Sequence, residues 1–140
     1  MARRDAIHEA VKTALIKDGW TITDDPLFIQ IDDEGQKFEV DLGAEKVLGA
    51  EKEDEKIAVE IKSFSAPSIL NGFHTLLGQY LDYRDAMTEN QIERVLFAAV
   101  SRSVYRRMTD IQFIRRRIAQ YDLKIVVIDI EDKEVIQWNK

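Results

Sequence analysis

One run of six residues constrains this chain more than any other: Ile57-Ala58-Val59-Glu60-Ile61-Lys62 is apolar throughout except at Glu60 and Lys62. A strand with one face in water alternates polar and apolar residues, so a run of this kind predicts a strand covered on both faces. Residues 94–101 form a second apolar run and predict a central strand. Between the two, Pro67 and Ser68 open a helix over about 68–87, with Ile69, Phe73, Leu76, Leu77, Tyr80 and Leu81 on its packed side. Upstream, Ile7, Ala10, Val11, Ala14 and Leu15 recur at helical spacing over residues 5–19, with Asp5 as N-cap and Gly19 as stop.

From Trp20 the period changes to two and predicts a strand over 27–32, ended by the turn Asp32-Asp33-Glu34-Gly35. Its hairpin partner covers 37–42, with Phe38, Val40 and Leu42 on one face and Lys37, Glu39 and Asp41 on the other. Residues 43–56 read as a solvated connection and 102–120 as a helical region broken near Thr109-Asp110. Residues 124–130 and 135–138 close as a strand pair around Glu131-Asp132-Lys133. The order α-β-β-β-α-β-α-β-β, without linker or repeat, predicts a single α/β domain over 1–140 with a mixed sheet flanked by helices.

At 140 residues, 45% of them hydrophobic, such a domain removes roughly two-thirds of its unfolded surface from water and needs no covalent staple. The chain has no Cys, which excludes disulfides, thiolate zinc sites and a cysteine nucleophile. His8 and His74 are the only histidines, so a metal would be held by carboxylates, as a hard ion such as Mg²⁺ prefers. A net charge of −6 excludes coating of nucleic acid by bulk electrostatics and leaves room for a local basic face. No stretch approaches the roughly 18–20 apolar residues of a membrane span, and the amphipathic start is unlike a signal peptide, so a soluble, cytoplasmic protein is expected.

Glu60 and Lys62 emerge side by side on one face of their strand. Charges on a covered strand are costly unless paired or functional. If the strands carrying Asp41 and Glu60 pair antiparallel, Asp41, Glu60 and Lys62 cluster. Two carboxylates suit Mg²⁺, and a neighbouring Lys can orient water and stabilise phosphate charge, which describes metal-assisted phosphodiester hydrolysis. A cross-strand ion pair is the plainer alternative. The next helix brings Gln79 and Tyr83, whose plainer reading is ordinary packing, and His74 reads as structural or surface. Arg102, Arg106, Arg107, Arg115, Arg116 and Arg117 crowd into one segment. They are either a phosphate-contacting face or, as preferred from sequence, a solvated helix surface paired with acidic groups, with no aromatic interleaved to stack bases.

The segments 17–23 (Lys-Asp-Gly-Trp-Thr-Ile-Thr), 40–45 (Val-Asp-Leu-Gly-Ala-Glu), 57–64 (Ile-Ala-Val-Glu-Ile-Lys-Ser-Phe) and 73–80 (Phe-His-Thr-Leu-Leu-Gly-Gln-Tyr) resemble the XisH family, named as factors controlling excision of the fdxN DNA element in cyanobacteria. Those proteins look like members of the PD-(D/E)XK nuclease superfamily, whose α-β-β-β-α-β core matches the order above. The resemblance implies Asp41 as metal-binding carboxylate, Glu60 as the second, Lys62 as catalytic Lys, and Gln79 and Tyr83 as a supporting Gln-x-x-x-Tyr motif, with Mg²⁺ or Mn²⁺ as cofactor. It implies a XisI-type companion protein, and DNA with a site-specific recombinase as indirect partners; self-association stays open, as do a catalytically silent accessory role and a nuclease checked by a neighbouring inhibitor. Two departures stand out. Val40 occupies the place of the superfamily's Pro. The superfamily's first-helix Glu has candidates in Glu9, about 200° from Ile7 and off the apolar stripe, and His8, about 100° away on its flank.

Overall fold

A computed structural model describes residues 3–46, 54–64 and 68–139. Helix α1 (Arg3–Lys17) leads to strands β1 (Thr21–Asp24), β2 (Leu27–Gln30), β3 (Lys37–Val40), β4 (Leu42–Lys46) and β5 (Glu55–Ile61). Helix α2 (Ile69–Glu89), strand β6 (Val95–Ser101), helices α3 (Arg102–Thr109) and α4 (Gln112–Gln120), and strands β7 (Ile125–Asp129) and β8 (Glu134–Asn139) complete the chain. Six strands form one mixed sheet in the order β1-β4-β5-β6-β7-β8, while β2 and β3 pair alone. The β5, β6 and β7 strands run parallel, and β1, β4 and β8 are antiparallel to their neighbours.

The expected elements are present and their ends differ in informative ways. Helix α1 begins at Arg3, so Asp5 lies within it and is not its cap. It stops before Gly19, whose φ of +95° a residue without a Cβ adopts freely. Ser68 caps α2, its hydroxyl accepting from the Asn71 N–H at 3.2 Å, while Pro67 lies outside the described residues. Likewise Ser101 caps α3, and the break between α3 and α4 falls near Thr109-Asp110 as the sequence predicts. The solvated connection proposed over 43–56 is strand at both ends, in β4 and β5, and its middle lies outside the described residues.

The larger correction concerns residues 20–42. What reads as two strands is four. The β1/β4 register (Asp24↔Gly43) and the β2/β3 register (Leu27↔Val40) continue one another, so the segments form one antiparallel ribbon bent at Asp25-Pro26 and Asp41. Pro26 has no N–H to continue the ladder. Beyond the bend β3 leaves the main sheet, and consequently Val40 joins the core beneath α2 whereas Leu42 joins the core beneath α1. The expectation that Phe38, Val40 and Leu42 share one face therefore fails at Leu42, and Gly43, expected to open the solvated connection, is buried within β4.

Two apolar layers sandwich the sheet. Ala58 of β5 faces Phe73, Leu76, Tyr80 and the α3–α4 pair, while Ile57 and Val59 face α1 and the Trp20–Trp138 ring contact. The strand is thus covered on both sides, as its composition predicts. Tyr80 ties α2 to the sheet, donating to the Leu96 carbonyl at 2.8 Å and accepting from the Lys124 N–H at 3.1 Å. Among the described residues no helix is long and apolar enough to cross a membrane.

Candidate active site at the bend of the ribbon

Strand β5 ends at Ile61 just where its neighbour bends away at Asp41. The backbone groups stranded there need partners, and two carboxylates supply them reciprocally. Asp41 Oδ2 accepts from the Ile61 N–H at 2.8 Å, and Glu60 Oε1 accepts from the Asp41 N–H at 3.2 Å. Among the described residues each carboxylate keeps its second oxygen off the backbone, and the two groups are held side by side. Lys62 stands on the same face: its ammonium lies 3.4 Å from Glu60 Oε2 and donates to Gln79 Oε1. Its own N–H goes to the Ala99 carbonyl of β6 at 2.9 Å, which extends the parallel ladder past the strand's end.

Glu60 is 9% exposed, the one buried charged side chain among the described residues. Its carboxyl is pushed up to about 7, chiefly by burial, then by the Asp41 carboxylate, to which a protonated Glu60 can hydrogen-bond. Lys62 and the Asp41 N–H pull the other way without prevailing. Tyr83, one helical turn beyond Gln79 on α2, overlooks the same two carboxylates. Its hydroxyl is pushed up to about 12 by burial and then by the charges of Glu60, Asp41, Asp82 and Glu39. Phe38 of the ribbon braces the Tyr83 ring edge-on at 5.1 Å between centroids.

Five of the residues singled out from sequence therefore meet here: Asp41, Glu60, Lys62, Gln79 and Tyr83. The two first-helix candidates do not join them. Glu9 is exposed, as its place off the apolar stripe predicts. His8 bonds Asp25 Oδ1 at 2.8 Å through Nε2, and Lys12 holds Oδ2 of the same carboxylate at 2.8 Å. Burial pushes Asp25 up, but the bonds from Lys12 and His8 outweigh it and hold the carboxyl below its usual range. Asp25 is the residue sequence reasoning missed. The Asp-Pro pair between two short period-two runs was the available signal, because register places Pro26 opposite Asp41 at the bend. His74 is exposed, a surface residue as expected. Among the described residues no group of three or more His, Asp or Glu side chains is arranged to hold a metal ion.

The model of the XisH protein family matches residues 1–136. The chain belongs to the XisH family. An XisH family protein from Nostoc punctiforme PCC 73102 is 38% identical, with 97% of this chain and 100% of that one covered and a TM-score of 0.83. A fdxN element excision controlling factor protein from Anabaena variabilis is 40% identical, with 98% and 100% covered and a TM-score of 0.84. Comparison with curated proteins gives no match. Both XisH-family structures match over their whole lengths, so the mixed sheet between helical layers is an architecture this chain shares with them.

Proposed function

We propose that this XisH-family chain is an excision-controlling factor with a nuclease site of PD-(D/E)XK type, hydrolysing DNA phosphodiesters with Mg²⁺ or Mn²⁺. The observation that carries the reading is the meeting of Asp41, Glu60 and Lys62 at the ribbon's bend, where each carboxylate is anchored by a backbone N–H of the other's strand segment.

The donor set suits a hard divalent ion. Two carboxylates fixed side by side repel one another, which is part of what pushes Glu60 up, and a small cation held by one or two carboxylates with the remaining positions left to water removes that repulsion. Bound there by Asp41 and Glu60, such an ion would neutralise charge on a phosphate oxygen and acidify a water. The protein's own part falls to Lys62. An ammonium has three protons; Gln79 takes one and Glu60 faces another, which among the described residues leaves one to orient a water or stabilise phosphate charge. Gln79 fixes where that proton points, and Tyr83 with Phe38 walls the site. The test is incubation of the purified chain with supercoiled, linear and single-stranded DNA in Mg²⁺ or Mn²⁺. Cleavage by the native chain that is lost in Asp41→Ala/Glu60→Ala supports the reading; no cleavage of any form, alone or with a XisI-type companion, refutes it.

A second reading keeps the fold and drops the cleavage: an accessory protein that serves a site-specific recombinase together with a XisI-type partner. It is favoured by the engagement of Lys62 with both Gln79 and Glu60 and by a carboxylate pair without a third ligand among the described residues. Excision in cells that is unchanged by Glu60→Ala would select it over hydrolysis.

A further inference from the structure

In a chain of net charge −6, residues 102–117 carry six Arg, no Lys and a single acid, Asp110. That segment is therefore +5 and the remainder −11. The structure gives it a surface. Val104 and Met108 of α3 and Ile114 of α4 are buried against the same side of the sheet as α2. Residues 102 and 106 stand roughly 160–200° from Val104, and 116 about 200° from Ile114, so these three lie on the outer face of the helical layer. Acidic pairing does not account for the whole of this charge among the described residues. Arg102 meets Asp129 at 3.6 Å, Arg115 is spent on the Thr109 carbonyl, and the exposed Arg106 and Arg116 have no acidic partner among the described residues. The helices also present an aromatic that the sequence pattern concealed: Phe113 is 49% exposed, with the Arg117 guanidinium 4.5 Å from its ring centroid.

We infer that the outer face of α3 and α4 is a nucleic-acid docking surface, with Arg106 and Arg116 on backbone phosphates and the Phe113–Arg117 stack against an unpaired base. This deepens the hydrolytic reading above and rests on it only for what happens to the bound strand. Guanidinium groups take phosphate oxygens two at a time, which a point-charge Lys does not, and an exposed ring under an Arg is the stacking platform that single strands use. A basic protein partner is opposed by sign, and an Arg stacked on an exposed ring beside phosphate-binding guanidinium groups matches the alternation of base and phosphate along a nucleic-acid strand. Position supports the same occupant. Lys62 bonds the Ala99 carbonyl near the end of β6, and three residues on the chain reaches Arg102 at the start of α3, at most about 11 Å away, so the Arg-bearing helical layer begins at the same end of the sheet as the carboxylate pair.

The experiment measures anisotropy of fluorescent single-stranded and duplex DNA with the full chain in EDTA at several salt concentrations, so that binding is read without cleavage. The expected result is salt-sensitive binding whose log–log slope falls by about 2 in Arg106→Ala/Arg116→Ala, one for each phosphate that is no longer neutralised. Phe113→Ala weakens single-strand binding by at least about fivefold and duplex binding less. Native-like binding by the Arg variant, or binding of polyglutamate in place of DNA, overturns the inference. DNA binding through these Arg residues without cleavage in Mg²⁺ leaves it standing and removes the hydrolytic reading instead; cleavage that survives Arg106→Ala/Arg116→Ala at low DNA concentration does the reverse.

Discussion

A carboxyl group 9% exposed and beside a second carboxylate is a burden on folding whenever it is charged. For Glu60 the sign is explicit. Its folded value of about 7 lies above its ordinary 4.5, so its contribution to stability is complete below pH 4.5 and is lost as pH rises through 7. A shift of that size corresponds to about 3 kcal/mol as an order of magnitude. Urea unfolding in EDTA should therefore show Glu60→Gln close to the native chain at pH 5 and more stable than it by about 1–3 kcal/mol at pH 8; equal stabilities at both pH values would contradict this. Glu60 and Lys62 were legible in the sequence because a Glu and a Lys on an otherwise apolar strand are conspicuous; Asp41 followed only if its strand pairs antiparallel with theirs, and the supporting role of Gln79 and Tyr83 only from the family resemblance. Asp25 was missed because its partners His8 and Lys12 lie on the flank of a helix whose apolar stripe shows which side packs and not which loop residue its polar flank meets.

The bent ribbon is held by Arg94. Its guanidinium bonds the carbonyls of Ala44 and Ile57 at 3.3 and 3.0 Å, and the Asp24 carboxylate at 3.2 Å, joining β1, β4 and β5 to the start of β6. Gly43 makes room for this: a Cβ there would stand 2.7 Å from Asp24 Oδ2 and 3.2 Å from Arg94 Nη1. Arg94→Leu strips these partners, and the Thr23 hydroxyl that the guanidinium also bonds at 3.3 Å, from a side chain only 15% exposed and should cost about 2–4 kcal/mol by chemical denaturation, with Arg94→Lys recovering little, since one ammonium cannot span the same acceptors. A loss below about 0.5 kcal/mol would show that the ribbon holds without it. Elements with one consistent period, such as α2 and β6, were readable to within two residues. The ribbon was not, because Phe38, Val40 and Leu42 keep an unbroken alternation in sequence while the backbone changes sheets at Asp41. Period two reports alternation along a strand and carries no information about which sheet the strand belongs to.

For the whole molecule, three features meet at one end of the sheet: the bend that frees two carboxylates from a ladder, the parallel pair β5–β6 that extends Lys62 beyond the strand, and the Arg-bearing helical layer that begins at Arg102. Net charge alone argued against contact with nucleic acid. Its uneven distribution, −11 outside residues 102–117 against +5 within them, turns that argument into one about where contact occurs. The α/β class and the mixed sheet could be read from the two covered strands and the helix between them, whereas the geometry of the site depended on a bend that only three dimensions display. The central claim is that Asp41 and Glu60 are assembled to hold a hard cation beside Lys62. A crystal of the chain soaked in Mn²⁺ tests it most directly: anomalous density between the two carboxylates, at metal–oxygen distances and near the Lys62 ammonium, is the predicted result, and a well-ordered site with no ion there, or an ion bound only elsewhere, would contradict it.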